Sequence, residues 1–351
     1  MKNYKVYLTS LAMLGLLASC DNDDDVIDAI DDDMPGEMED RAELYVTSGN
    51  TGDVIVYSLG DTPSTTTLNT SSSANEGVFY DAANDELLVA SRSQNRINSY
   101  MGISDLLMEQ TAELELNMNS ESDLESPRKI AVNGNTVVVA DNADVDGDDS
   151  TDDGRFYIYT RNNDGLMLRN TVIVDFAVWG ITFNGNSLYA VVDKTSDLAI
   201  FDDFSSSYTT DDEIMPTKRI TIEGIVRTHG IAYDSEDDVL VMTDIGSADS
   251  DSDGAFHYIE DANSKIAAVE NGGMLSVSEQ VRVEGDNTFL GNPVDVVYDN
   301  ESENIYIAEV ANGGGRVLVF DDDNYEEGGN ISPVVNNQLD GANSLYFYVE
   351  D

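Results

Sequence analysis

Two loops in this chain gather oxygen ligands densely enough to hold a hard cation. "DIGSADSDSDG" (244–254) carries Asp249-x-Asp251-x-Asp253-Gly254, and Ca²⁺ is held by about six to eight oxygens from carboxylates, carbonyls and water. Glu260 completes the spacing of a twelve-residue calcium loop. It follows a run that reads as a strand, however, and five extended residues at about 3.3 Å each carry it away from the Asp cluster. The second loop, "DNADVDGDDSTDDG" (141–154), has seven Asp in fourteen residues, and Asp144, Asp146 and Gly147 repeat the turn. The sequence therefore predicts Ca²⁺ at Asp144, Asp146, Asp249, Asp251 and Asp253, stiffening one face of the protein. Two His with no nucleophile motif argue against a Ser-His-Asp triad. A single Cys argues against zinc, and no Gly-rich phosphate loop is present.

The elements that must carry these loops are short strands. From residue 43 onward, brief apolar runs alternate with turn clusters and almost no helical periodicity appears. The runs repeat: "EGVFYDAANDELLVAS" (76–91), "RKIAVNGNTVVVAD" (128–141), "WGITFNGNSLYAVVD" (179–193), "HGIAYDSEDDVLVMTD" (229–244) and "PVDVVYDNESENIYIAEV" (293–310) share one plan. Each holds a strand, a polar turn, and a second strand closing on a small residue and an acid. A third strand follows each, such as "RFYIYT" (155–160), and then a weaker fourth, such as "RITIEG" (219–224). Val78, Ile130, Ile181, Ile231 and Val296 mark intervals of 52, 51, 50 and 65 residues. Four strands in about fifty residues is the size of a propeller blade. The long interval leaves room for an insertion around Glu260 to Gly273.

The chain ends in "GANSLYFYVED", a first strand with nothing after it, and the repeats begin with "ELYVTS" (43–48) and "DVIVYS" (53–58), second and third strands with no first. Joining them makes a sixth blade from both termini and removes an exposed sheet edge. The expectation is an all-β, six-bladed β-propeller over 43–351, with a β-sandwich as the alternative. First strands line the channel, so the residues at its mouth are expected to be Glu76, Arg128, Lys129, Trp179, His229, Asp295 and Asn343. The only Trp among them, beside charges of both signs, suits a sugar or a peptide end. The alternative is that Trp179 merely plugs the channel.

The phrases "GIAYD…VLVMTD…AFHYIE" and "VDVVYD…IYIAEV…RVLVF" resemble NHL-type propellers. "EGVFYDAANDELLVASRSQNRINSY" (76–100) resembles the gluconolactonase and senescence-marker group. That resemblance implies a divalent metal in the channel with Glu76 as a ligand, and lactone hydrolysis. The group's other ligands, Asn and Asp at the starts of later blades, are met here by Arg128, Trp179 and His229, with Asp295 following Val294.

Upstream, Lys2 and Lys5 precede an apolar run, and "LASC" (17–20) resembles the lipobox of bacterial lipoproteins. The resemblance implies cleavage before Cys20 and lipid on its sulfur and amine. Residues 1–19 thus read as a signal peptide and 20–42 as an acidic tether, with eleven acids and no base between Asp21 and Asp40. The acids directly after Cys20 resemble an export signal to the outer surface in some Gram-negative bacteria; retention in the inner membrane, as for Asp after Cys in enteric-type bacteria, is the alternative. A formal charge of −52, from 69 acids and 17 bases, repels nucleic acid and anionic membranes and suits saline surroundings. The expected protein is a lipid-anchored, surface-exposed, non-catalytic binding module for a glycan, a peptide or an envelope partner. Its alternative is a metal-dependent lactonase or esterase-like hydrolase.

Overall fold

A computed structural model of the chain describes residues 41–60, 62–148, 151–162 and 165–350; Cys20 lies outside the described residues. Six small sheets form a six-bladed β-propeller. Blade 1 joins the ends of the chain. Its inner strand is Ala342–Val349, followed outward by Ala42–Ser48, Val54–Ser58 and Ser64–Asn69, with Leu44 opposite Phe347 and Val46 opposite Leu345. Blades 2 to 6 begin with the inner strands Asn75–Asp81, Pro127–Asn133, Val178–Asn184, Thr228–Asp234 and Pro293–Asp299. Each inner strand packs beside the next and the sixth returns to the first.

The hairpins follow from local chemistry. The turn after each of these five inner strands needs a residue at positive φ, supplied by Asp85, Gly134, Gly185, Asp238 and Glu303. In blades 2 and 5 that Asp also accepts a hydrogen bond from the preceding strand's Tyr, at 2.8 Å from Tyr80 and 3.1 Å from Tyr233. Alternate side chains then fill the spaces between blades. Val138, Phe156, Val172, Ile181, Leu188, Phe201 and Phe204 form one such cluster, between blades 3 and 4. Burying each large apolar side chain contributes roughly 1.5–3 kcal/mol, so the blades hold one another in place rather than standing alone.

A second device latches neighbours together. The connection between third and fourth strands of blades 2, 4 and 5 reaches back and adds a short parallel strand to the outer edge of the preceding blade. These are Thr111–Glu113, Asp212–Glu213 and Met274–Leu275. The expected insertion near Glu260 is this latch, a helix over Ala262–Ala268 followed by Met274–Leu275.

Every inner strand also carries a β-bulge near its start; in five blades two residues oppose one on the neighbouring strand, and in blade 6 one residue is inserted with none opposite. The bulges fall on Glu76 and Gly77, Arg128 and Lys129, Trp179 and Gly180, His229 and Gly230, Asn343 and Ser344, and on Val294 alone in blade 6. A bulge re-aims side chains, and these six turn toward one end of the channel. Glycine is required beside three of them because neighbouring inner strands touch. A Cβ on Gly180 would sit 2.3 Å from the His229 carbonyl oxygen, and one on Gly77 2.5 Å from the Ile130 nitrogen.

Candidate functional site

Glu76, Arg128, Trp179, His229 and Asn343 line one cavity of about 280 Å³ at the channel mouth, together with Arg92, Asn292, Val294 and Val310. Asp295 stands one step inside, because Val294 holds in blade 6 the place that Glu76, Arg128, Trp179, His229 and Asn343 hold in theirs. There it meets Lys129, which also points inward rather than at the mouth. The two sit on diametrically opposite blades, and the Lys129 ammonium crosses the channel to donate to Asp295 Oδ2. It also donates to the Leu345 carbonyl at 2.8 Å. Asp295 Oδ2 further accepts from Ser344 Oγ and the Leu345 N–H, both at 2.8 Å. This pair is a brace across the channel.

At the mouth, Glu76 Oε1 accepts from two guanidiniums, Arg128 at 3.0 Å and Arg92 at 3.1 Å. Burial pushes the Glu76 carboxyl up, opposed by both arginines, and pushes Arg128 down, opposed by Glu76. Arg128 is steered by a further bond from Nε to Asn142 Oδ1 at 3.0 Å. Its guanidinium carbon lies 4.0 Å from the Trp179 ring centre. The His229 imidazole stacks on the same indole, with centroids 3.7 Å apart and planes 4° from parallel. Blade order puts Trp179 between its two partners, so both faces of the indole are covered and it offers no open platform for stacking a sugar. That corrects the stacking role expected of it from the sequence.

His229 Nε2 faces Asp193 Oδ1 at 3.0 Å. Arg227 grips the same carboxylate through Nε at 2.7 Å and a terminal nitrogen at 3.1 Å. Burial would raise Asp193, but the bonds from His229 and Arg227 outweigh it and hold the carboxyl at about 2. A carboxylate only accepts, so the imidazole proton resides on Nε2. Burial pushes the His229 pKa down, which keeps the ring neutral, and Nδ1 is left buried with no partner among the described residues.

Asp193, Arg92, Arg227 and Asn292 were not among the residues expected from the sequence. The sequence does hold a signal for Asp193, the acid that closes the second strand of several repeats. In blades 3, 5 and 6 that acid staples the backbone of its own loops. Asp141 accepts from Glu125 and Ser126 N–H, Asp244 from Val226 and Arg227 N–H, and Glu309 from four N–H groups. In blade 4 the same position accepts from the Lys194 N–H and also reaches the side chains of Arg227 and His229.

The metal implied by the gluconolactonase resemblance does not fit these residues. Two guanidiniums hold Glu76, an ammonium holds Asp295, and Nε2 of His229 is spent on Asp193. Of the residues expected to hold a channel ion, the two carboxylates are thus taken by cations, and only His229 Nδ1 is left over, too little for the about six to eight hard oxygen ligands of Ca²⁺. In the acidic loops, Asp144 and Asp146 converge with Asp153, their carboxylate oxygens within 4.8 Å of one another. Asp249, Asp251 and Asp253 form no such group among the described residues. Asp253 instead accepts from the Ser247 N–H at 3.1 Å, and the Asp251 carbonyl from Asn312 at 3.0 Å.

No protein-family model matches the chain, and no curated protein sequence does. Solved structures show the fold. A chain of a nidogen–laminin complex is similar at a TM-score of 0.57 and 14% identity, over 87% of this chain and 98% of that one. Candidate 6-phosphogluconolactonases resemble it comparably. The one from Bacteroides uniformis gives 0.56 and 12%, over 89% and 100%; that from Bacteroides fragilis gives 0.54 and 9%, over 90% and 100%. At such identities the likeness is one of architecture alone, and architecture does not fix function.

Proposed function

We propose that this chain is a non-catalytic binding module, lipid-anchored through Cys20 at the outer surface of the cell envelope, that takes a glycan or peptide group in its channel mouth. The observation that carries the reading is the clamp on Glu76. With Arg92 and Arg128 on its carboxylate, the mouth offers guanidinium N–H groups, which bind acceptors, where a lactonase of the resembling group would offer a Lewis acid. Orientation supports it. Arg41, where the described chain begins, lies beside Tyr80 and Tyr348 at the far ends of the inner strands. The chain thus enters the ring on the face opposite the mouth.

Trp179 is the only Trp and lines the cavity, so its emission reports on the site directly. Titrating the full chain with envelope glycans and with peptides is expected to shift that emission saturably, while lactones and esters are not turned over. Turnover abolished by Glu76→Gln would replace this reading with the hydrolase.

A further inference from the structure

Resting on that reading, we infer that the mouth selects a ligand bearing a carboxylate beside hydroxyl groups, the chemistry of an acidic sugar residue. Three observations converge on it.

The first is charge. Deeper in the channel Lys129 offsets Asp295, and on one side of the mouth Arg227 offsets Asp193 with His229 neutral. On the other side Arg92 and Arg128 share the single carboxylate of Glu76. Among the residues that line the cavity one positive charge is left over, with the buried Asp141 acting on Arg128 from behind the mouth, in a chain whose formal charge is −52. Both guanidiniums meet at one oxygen, Glu76 Oε1, so their remaining N–H groups lie close together. Arg92 spends one nitrogen on Glu76 and its side chain is 46% exposed. A guanidinium carries five N–H donors in a planar fork suited to carboxylates. A ligand carboxylate here accepts charge-assisted hydrogen bonds and neutralises the excess.

The second is a deficit of donors. His229 Nδ1 and Asn292 Oδ1 belong to residues lining the same cavity, and both are acceptors buried without a partner among the described residues. Leaving a buried polar atom unmade costs on the order of 1–3 kcal/mol. A carboxylate cannot satisfy these two atoms, because it only accepts. Hydroxyl groups on the same ligand can.

The third is shape. About 280 Å³ is at the small end of ligand pockets, room for one ring rather than an extended chain. Both faces of Trp179 are covered, so a neutral sugar finds no stacking surface, and recognition has to come from charge and hydrogen bonds.

The test uses Trp179 emission of the full chain at fixed salt, with glucuronate, glucose, acetate and a dipeptide bearing a free C-terminus as probes. Glucuronate is expected to bind at least about tenfold more tightly than glucose or acetate, since each of those lacks one half of the set. Arg92→Gln is expected to erase the preference for glucuronate over glucose. Asn292→Ala is expected to weaken both sugars and leave acetate unmoved. Circular dichroism of each variant separates lost folding from lost contact. Glucose or acetate binding as well as glucuronate, or the dipeptide binding more tightly, overturns the acidic-sugar assignment and leaves the binding-module reading standing. If neither these probes nor any envelope glycan or peptide alters Trp179, both fail together.

Discussion

At the scale of single residues, the charges inside the channel are set by their partners. Lys129 and Asp295 are both buried, and removing one leaves the other charged and unpaired in a medium that solvates it poorly. Asp295→Ala is therefore expected to lose about 3–5 kcal/mol in urea unfolding, whereas replacing both with apolar residues of similar volume costs much less. Equal losses in the two variants would show that the brace contributes through packing alone. His257 is a different case. Arg282 Nε donates to its Nε2 at 3.2 Å, so the ring is neutral with its proton on Nδ1, facing Gln280 Oε1 at 2.6 Å. Burial pushes its pKa down to about 4, against the Gln280 bond. The unfolded chain takes up that proton first, at an ordinary histidine pKa of about 6.5. Its stabilising contribution is complete above that value and is lost as pH falls toward 4. The stability gap between wild type and His257→Gln is expected to narrow by roughly 3 kcal/mol between pH 7 and pH 4. A gap independent of pH would mean that the ring titrates normally.

Elements decide which residues meet, and here the sequence was legible up to a definable point. Repeat intervals near fifty residues and the unpaired half-repeats at the two ends were enough for six blades and a shared closing blade. Aligning the repeats also brought Glu76, Arg128, Trp179, His229 and Asn343 to one mouth. What a strand pattern does not carry is the bulge. A period of two assigns faces only while pairing is regular, so it does not tell that the residue after each mouth position, Lys129 in blade 3 and Asp295 in blade 6, points into the channel. Partners contributed from neighbouring blades, such as Arg92 and Asp193, were hidden for a related reason: their contacts depend on ring order rather than local spacing. The stapling acids show the same logic. Glu309 accepts from Gly291, Asn292, Ala311 and Asn312 N–H at 2.7–2.9 Å, tying two loops of blade 6 to one carboxylate. Glu309→Ala strands those donors and is expected to cost at least about 2 kcal/mol, with new protease cuts near 291 and 311. Unchanged protease sensitivity there would show that the loops hold themselves.

For the whole molecule the governing quantity is the imbalance of 69 acids over 17 bases. Like charges distributed over a closed ring repel at any separation not screened by salt, and the screening length falls from about 30 Å at 0.01 M to about 10 Å at 0.1 M and 3 Å at 1 M. The unfolded chain spreads the same charges further apart, so self-repulsion weighs more heavily on the native state. The interblade clusters are apolar and are not weakened by sodium chloride. Most of the buried ion pairs described here are short contacts inside the protein, which salt screens much less than exposed pairs. Repulsion is therefore the larger salt-sensitive contribution, and the melting temperature is expected to rise steadily between 0.01 and about 0.5 M sodium chloride, then flatten once the screening length drops below the spacing of surface acids. A protein of ordinary charge balance would show little change over that range. A melting temperature that falls with salt would reverse the ordering, making attractive pairs such as Arg161 with Asp81 and Glu86 the dominant electrostatic support of the ring.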